Sequence, residues 1–330
     1  MRAGGPARGA GAAGRRRFDT SSVGLSLVSL SRAWTPTYDL RLNALLVHRR
    51  GPGDPTYRLV DGVHWRGLRT PEGPATLAVR ACGERGGDVE ASAWGDGAAW
   101  ALDRLPAMLG ERDDASGFEP EDALLREAIR QYGLPRLGRT GLVLEALLPA
   151  ILEQKVTGQE AFGGFRSLVQ QYGEPAPGPA ATEHRLRLQP TPEVLRQVPS
   201  WSWLRMHVDH ARSRAVVTAA RVADSLERTV GLPGEEVERR LTSLPGIGEW
   251  TAAEVRQRAH GDADAVSFGD FHLAKDLGWA VDGAPWDDER LRAYLAPYRP
   301  HRGRVVALLY RARGARPRRG PRLAPRTHLP

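Results

Sequence analysis

Residues 244–252 read LPGIGEWTA, and no other stretch restricts the fold of this chain as strongly. Ahead of it, EEVERRL sets Val237, Leu241 and Leu244 at helical spacing, and a helix-forming stretch follows. A helix that ends in Leu-Pro-Gly-Ile-Gly and restarts at once makes a hairpin of two helices. Gly246 and Gly248 supply backbone angles closed to other residues and leave no side chain between backbone and ligand. Successive amides of such a turn, at a helix N-terminus, form a small anion site. A DNA phosphate fits it, and nothing in that contact depends on base identity.

Around the hairpin the patterning divides the 330 residues into four parts. Residues 1–33 are low in complexity and are expected to form a disordered basic tail. Residues 34–119 are mainly strand-like, with YDLRLNALLVHR, YRLV, VHWRGL, ATLAVRAC and DVEASAW separated by Gly/Pro/Asp turns. AAWALDRLPAML closes this unit as a covering helix, so an antiparallel-sheet domain is expected. Residues 120–315 turn helical. LVLEALLPAIL puts Leu144, Leu147, Leu148, Ile151 and Leu152 on one face, and TPEVLRQV opens with Thr191 as N-cap and Pro192 at the first helical position. HARSRAVVTAARVADSLERTV reads as one long helix. Residues 316–330 are again an expected basic tail. The fold class expected is α+β, a mainly α-helical domain preceded by a smaller antiparallel-sheet domain.

The net charge of +8 suggests a nucleic-acid partner, but the basic excess sits at the ends. Residues 1–33 hold six Arg against one Asp, residues 299–330 hold ten Arg and no acid, and the body between is net acidic. The ends would add salt-sensitive, nonspecific DNA affinity. Cys82 is the single cysteine, which excludes a disulfide framework and a four-cysteine metal site. No apolar run approaches the roughly 20 residues that span a bilayer. A monomeric protein of the bacterial cytoplasm, associated with the nucleoid and making no membrane contact, is expected.

About twenty residues past the hairpin stands VSFGDFHLAKDLGWAV. Asp270 precedes a helix there, with Leu273, Leu277 and Ala280 on one face, and the helix dipole would hold its carboxylate ionised. Capping that helix is the commonest task for an Asp so placed. Together, the two motifs and their separation resemble the helix-hairpin-helix superfamily of DNA base-excision glycosylases, and most of all its bacterial 3-methyladenine DNA glycosylase II family. AILEQKVTGQEA, TPEVLRQV and YRPHRGRVVALLY match segments of that family in order and spacing. The resemblance covers about residues 120–312, and 36–119 more loosely.

The resemblance implies a monofunctional DNA glycosylase that flips alkylated purines such as 3-methyladenine out of damaged double-stranded DNA and leaves an abasic site; the alternatives are a catalytically silent hairpin protein that binds damaged or bent DNA, and a glycosylase for deaminated or oxidised bases. Asp270 falls on the family's catalytic aspartate, facing the oxocarbenium-like sugar as it develops. Trp250 stands where the lyase members carry a Schiff-base lysine, so no amine attacks the sugar. Trp250 and Tyr310 match aromatic walls of the base pocket, which would attract a cationic methylated base. Glu254 departs from the family, whose best-known member has an aromatic there, and could draw the cationic base by charge. Leu244, Gly246, Ile247, Gly248 and Thr251 of the hairpin, with Gln154 and Lys155 in the region of the family's wedge, are the expected DNA contacts. No metal or other cofactor is expected, beyond a monovalent cation that hairpin carbonyls can hold. His272, Trp201, Trp203 and Trp279 are read as structural.

Overall fold

The computed structural model describes residues 29–36, 38, 42–82 and 87–316. The expected tails at 1–28 and 317–330 lie outside these residues. Among the described residues there are fourteen α-helices and seven strands, the α+β composition expected.

Five strands, β1 (Ser29–Trp34), β2 (Tyr57–Val60), β3 (Val63–Thr70), β4 (Gly73–Cys82) and β5 (Asp88–Trp94), form an antiparallel sheet in the order β1-β5-β4-β3-β2. Alternation along β4 and β5 explains why the sheet is covered on both sides. Ala75, Leu77, Val79, Val89, Ala91 and Ala93 point to one face, where the helix Ala98–Met108 packs its Ala101, Leu102 and Leu105. Trp65 and Trp94 stack on the other face at 5.6 Å and are buried under Ala176, Ala180, Leu186 and Leu188. That cover comes from residues 174–189, inside the stretch read as helical, which also form a two-stranded ribbon (Glu174–Pro175 with Arg187–Leu188).

Two sequence expectations fail in this part. Ser29–Trp34 is not tail but an edge strand paired with β5. It is almost wholly exposed, so it carries no apolar alternation to reveal it. YDLRLNALLVHR is not a strand over its second half, because Leu42–His48 is a 3-10 helix. Leu42, Leu45 and Leu46 then share one side against the sheet core, three and four residues apart.

The helical part has two cores. One gathers Leu147, Leu148, Ile151, Phe165, Leu168, Trp203, Val216, Leu241 and Ile247 around the helix Val143–Leu152. The other joins the helices Ala123–Tyr132, Leu273–Asp282 and Arg302–Arg313 through Leu125, Leu277, Trp286, Leu308 and Leu309. Thr191 caps Pro192–Gln197 by accepting from the Val194 amide, as its sequence requires. The long arginine-laced helix breaks at Val222 into His210–Arg221 and Ala223–Glu227. Trp203 is buried, but Trp201 and Trp279 are 57% and 47% exposed, so neither serves the core.

Ion pairs seal the seam between the sheet and the helix Val143–Leu152. Arg50 reaches Glu153 at 3.1 Å and Arg66 reaches Glu145 at 2.7 Å. Burial pushes both carboxyls above the usual carboxylate range despite these partners.

Candidate active site

The hairpin joins the helix Gly234–Thr242 to the helix Glu249–Val255, which runs on as a π-helical segment, Arg256–His260. Gly246 has φ of +86°, the left-handed region that favours glycine. Gly248 is extended, with φ of −101° and ψ of −179°, and a β-carbon there would meet nothing within 4 Å. The two glycines therefore differ: the first permits the turn, and the second leaves its mouth open. The first intrahelical bond runs from the Ala252 amide to Gly248 O, so the amides of Glu249, Trp250 and Thr251 have no acceptor within the helix. Glu249 would repel an anion at that mouth, but Arg292 pairs with it through two bonds of 2.9 and 2.7 Å.

Other expected DNA contacts are used in part by the protein itself. Ile247 is buried in the core and Leu244, partly buried, packs against it, while the Ile247 amide donates to Leu244 O and the Leu244 amide to Leu241 O. Thr251 is buried, and its Oγ1 accepts from Gln154 Nε2 at 2.8 Å. The same Gln154 nitrogen donates to Gly246 O at 2.9 Å, which ties the loop after Val143–Leu152 to the hairpin. Lys155, next in that loop, is exposed and holds a left-handed φ of +55°.

Asp270 follows the turn made by Gly269 at φ +81°. Its Oδ1 accepts from the amides of His272 and Leu273 at 2.7 and 2.9 Å, capping the helix Leu273–Asp282. Its Oδ2 lies 3.4 Å from the indole nitrogen of Trp250. The capping and catalytic readings are thus compatible, since one oxygen fixes the carboxylate and leaves the other toward the hairpin. His272 lends its amide to this cap, and its Nδ1 is buried with no partner among the described residues.

A cleft of about 700 Å³ opens beside Asp270. It brings together Asp270, Glu254 and Tyr310, with Gln257, Arg258 and Ser267. Trp250 stands outside this lining and meets the cleft only through Asp270. The Tyr310 hydroxyl donates to Asp276 Oδ2 at 3.2 Å, so its ring edges the cleft while its polar end is anchored. Glu254 is not the free carboxylate expected. Arg258 pairs with its Oε2 at 2.7 Å, and Ser267 Oγ donates to its Oε1 at 2.6 Å. Sequence reasoning missed Gln257, Arg258 and Ser267, although the spacing 250, 254, 257, 258 puts the first two on the Trp250 side of one helix. Among the described residues no group of three or more His, Cys, Asp or Glu could hold a metal ion, and no helix is long and apolar enough to cross a membrane.

The fold that carries this hairpin is shared with solved DNA glycosylases, as the sequence resemblance implied. A 3-methyladenine DNA glycosylase from Archaeoglobus fulgidus superposes with a TM-score of 0.71 at 18% identity, over 86% of this chain and 99% of that one. The 8-oxoguanine glycosylase/lyase of Clostridium acetobutylicum, solved with double-stranded DNA containing cytosine opposite 8-oxoguanine, gives 0.60 at 14% identity, over 83% and 92%. By sequence, the chain is 30% identical over 215 residues to a probable bifunctional transcriptional activator/DNA repair enzyme AlkA of Mycobacterium tuberculosis. That match takes in 63% of this chain and spans 40% of the relative's length. No protein-family model matches the chain.

Proposed function

We propose that this chain is a monofunctional DNA N-glycosylase that flips an alkylated purine such as 3-methyladenine into the cleft and hydrolyses its N-glycosidic bond. One observation carries the reading: a carboxylate fixed at a helix start, beside a glycine hairpin that opens a helix and at the edge of a cleft. The amides after Gly248 grip a phosphate, while exposed Lys155 enters the gap left by the extruded base or holds a neighbouring phosphate. An alkylated purine is cationic in DNA and leaves as a neutral base, taking the electrons of the glycosidic bond. The sugar becomes oxocarbenium-like, and Asp270 Oδ2 stabilises that charge where it forms. Water adds to C1′, and its proton passes to the carboxylate or to bulk solvent. The fold shared with 3-methyladenine DNA glycosylase and the match to a probable AlkA support this assignment.

Trp250 at the Schiff-base position supports hydrolysis without cutting of the DNA backbone. The chemistry needs no cofactor, and a monovalent cation on the hairpin carbonyls would only strengthen the phosphate grip. The test is release of free 3-methyladenine from methylated duplex DNA, with Asp270→Asn as its control. The variant keeps the carboxylate's shape and loses its charge, so single-turnover release should fall at least about a hundredfold while duplex binding persists. Near-normal release by Asp270→Asn would remove Asp270 from the mechanism.

A further inference from the structure

Asp270 and the hairpin lie in different stretches of the chain, and the proposed reaction needs a fixed distance between them. The link between their side chains is a long one, 3.4 Å from Trp250 Nε1 to Asp270 Oδ2, and it uses the oxygen that would face the sugar. Away from the cleft, both stretches meet a third, the helix Asp288–Leu295. Its sequence frees two side chains for that contact. Asp287 is the N-cap and accepts from the Arg290 amide at 2.9 Å, so Asp288 is not needed there. Asp288 and Arg292, at i and i+4, share one face of the helix. Asp288 Oδ2 accepts from the Gly269 amide at 2.6 Å, at the left-handed turn that delivers Asp270. Arg292 reaches both stretches. Its guanidinium lies 3.8 Å over the ring of buried Phe268 and donates to both oxygens of Glu249, the first residue of the helix after the hairpin. Neither Asp288 nor Arg292 lines the cleft.

We infer that Asp288 and Arg292 are positioning residues, which hold the hairpin and the Asp270 turn in one frame so that a gripped phosphate sets the carboxylate against the sugar. The inference rests on the glycosylase reading above and adds to it two residues that lie outside the cleft. Their actions differ. Asp288 holds the amide one residue ahead of Asp270, and the cap bonds of Asp270 Oδ1 do not by themselves fix that turn against the hairpin. A displacement of about 1 Å at a reacting group costs up to about a hundredfold in rate. Arg292 also neutralises Glu249 beside the amides of the hairpin mouth, and without it that carboxylate repels the phosphate. At roughly 5 Å in a partly exposed site, such a repulsion weakens binding about three- to thirtyfold. Losing these contacts alters geometry more than folding, because exposed pairs add little to stability. Arg292 and Glu249 are 46% and 44% exposed.

The experiment measures single-turnover release of 3-methyladenine from methylated duplex DNA against protein concentration, which separates the limiting rate from the half-saturating concentration. Fluorescence-anisotropy titration of undamaged duplex gives the affinity. The full chain carries Asp288→Ala, Asp288→Asn, Arg292→Gln, or Glu249→Gln together with Arg292→Gln, and each should melt within about 2 °C of wild type. Asp288→Ala should lower the limiting rate about ten- to a hundredfold with duplex affinity kept. Asp288→Asn, whose amide oxygen accepts from Gly269, should restore most of that rate. Arg292→Gln should lower rate and affinity together. The double change should return affinity to within about threefold of wild type and leave the rate low, since the repelling charge is gone but the frame is still open. A merely structural role would give neither the rescue by Asn nor this split. If Asp288→Ala melts early, the two Arg292 variants decide. Wild-type limiting rates in folded Asp288→Ala or Arg292→Gln, or a double change that recovers no affinity, would overturn the inference and leave the glycosylase reading standing. No release by the wild type would overturn both.

Discussion

Substituting the two hairpin glycines one at a time separates folding from DNA contact. At Gly246, φ of +86° costs an alanine about 1–2 kcal/mol, and its β-carbon would sit 3.1 Å from that of Ala215. A loss of that size lowers the melting temperature of a chain this long by roughly 1.5–3 °C. Gly248 is different. Its backbone suits any residue and its β-carbon meets nothing. An alanine N-cap is worse than a glycine by about 1 kcal/mol. The smaller freedom of the unfolded chain returns about 0.4–1 kcal/mol of that loss. Gly248→Ala should therefore melt within about a degree of wild type, and its methyl group would stand where a phosphate approaches the open amides. Loss of one charge-assisted hydrogen bond, about 1.5–3 kcal/mol, weakens binding by roughly ten- to a hundredfold. Thermal melts and fluorescence-anisotropy titrations on damaged and undamaged duplexes measure both quantities. The reasoning fails if Gly248→Ala melts as early as Gly246→Ala, or if it binds undamaged duplex normally.

Borohydride added during turnover should trap little covalent complex, because Trp250 offers no amine and the only lysines are Lys155 and Lys275. Efficient trapping, abolished by changing either lysine, would contradict hydrolysis without lyase chemistry. His260 has both ring nitrogens buried without a partner among the described residues, and burial pulls its pKa down to about 4. The folded protein thus favours the neutral ring, so this contribution to stability is complete above the ordinary 6.5 and is lost as pH falls toward 4. Urea unfolding of wild type and His260→Leu at pH 7 and 4.5 should show wild type losing roughly 2–3 kcal/mol relative to the variant. A difference that does not change with pH would refute the assignment.

What the sequence disclosed about this site is what local residues encode. A turn needs its glycine wherever the chain goes afterwards, so the hairpin was legible, as were Asp270 as a cap and Thr191 as another. The sheet was legible where its strands alternate between two buried faces, and illegible at β1, which buries almost nothing. Partnerships across the fold have no local signature. Gln154 looks like a free amide aimed at DNA until the hairpin carbonyl and Thr251 are seen to occupy it. Glu254 looks like bait for a cation until Arg258, one turn further along the same helix, is seen to neutralise it. That second case bears on how much function can be read from a motif. In the proposed reaction the phosphate grip and Asp270 act through backbone amides and one carboxylate, which a motif records. In that reading the choice of base falls to the side chains that line the cleft, and Arg258, four residues past Glu254, neutralises a carboxylate that the motif alone would leave charged. A chain can therefore keep every residue that names its chemistry while the neighbours of those residues decide what it acts on.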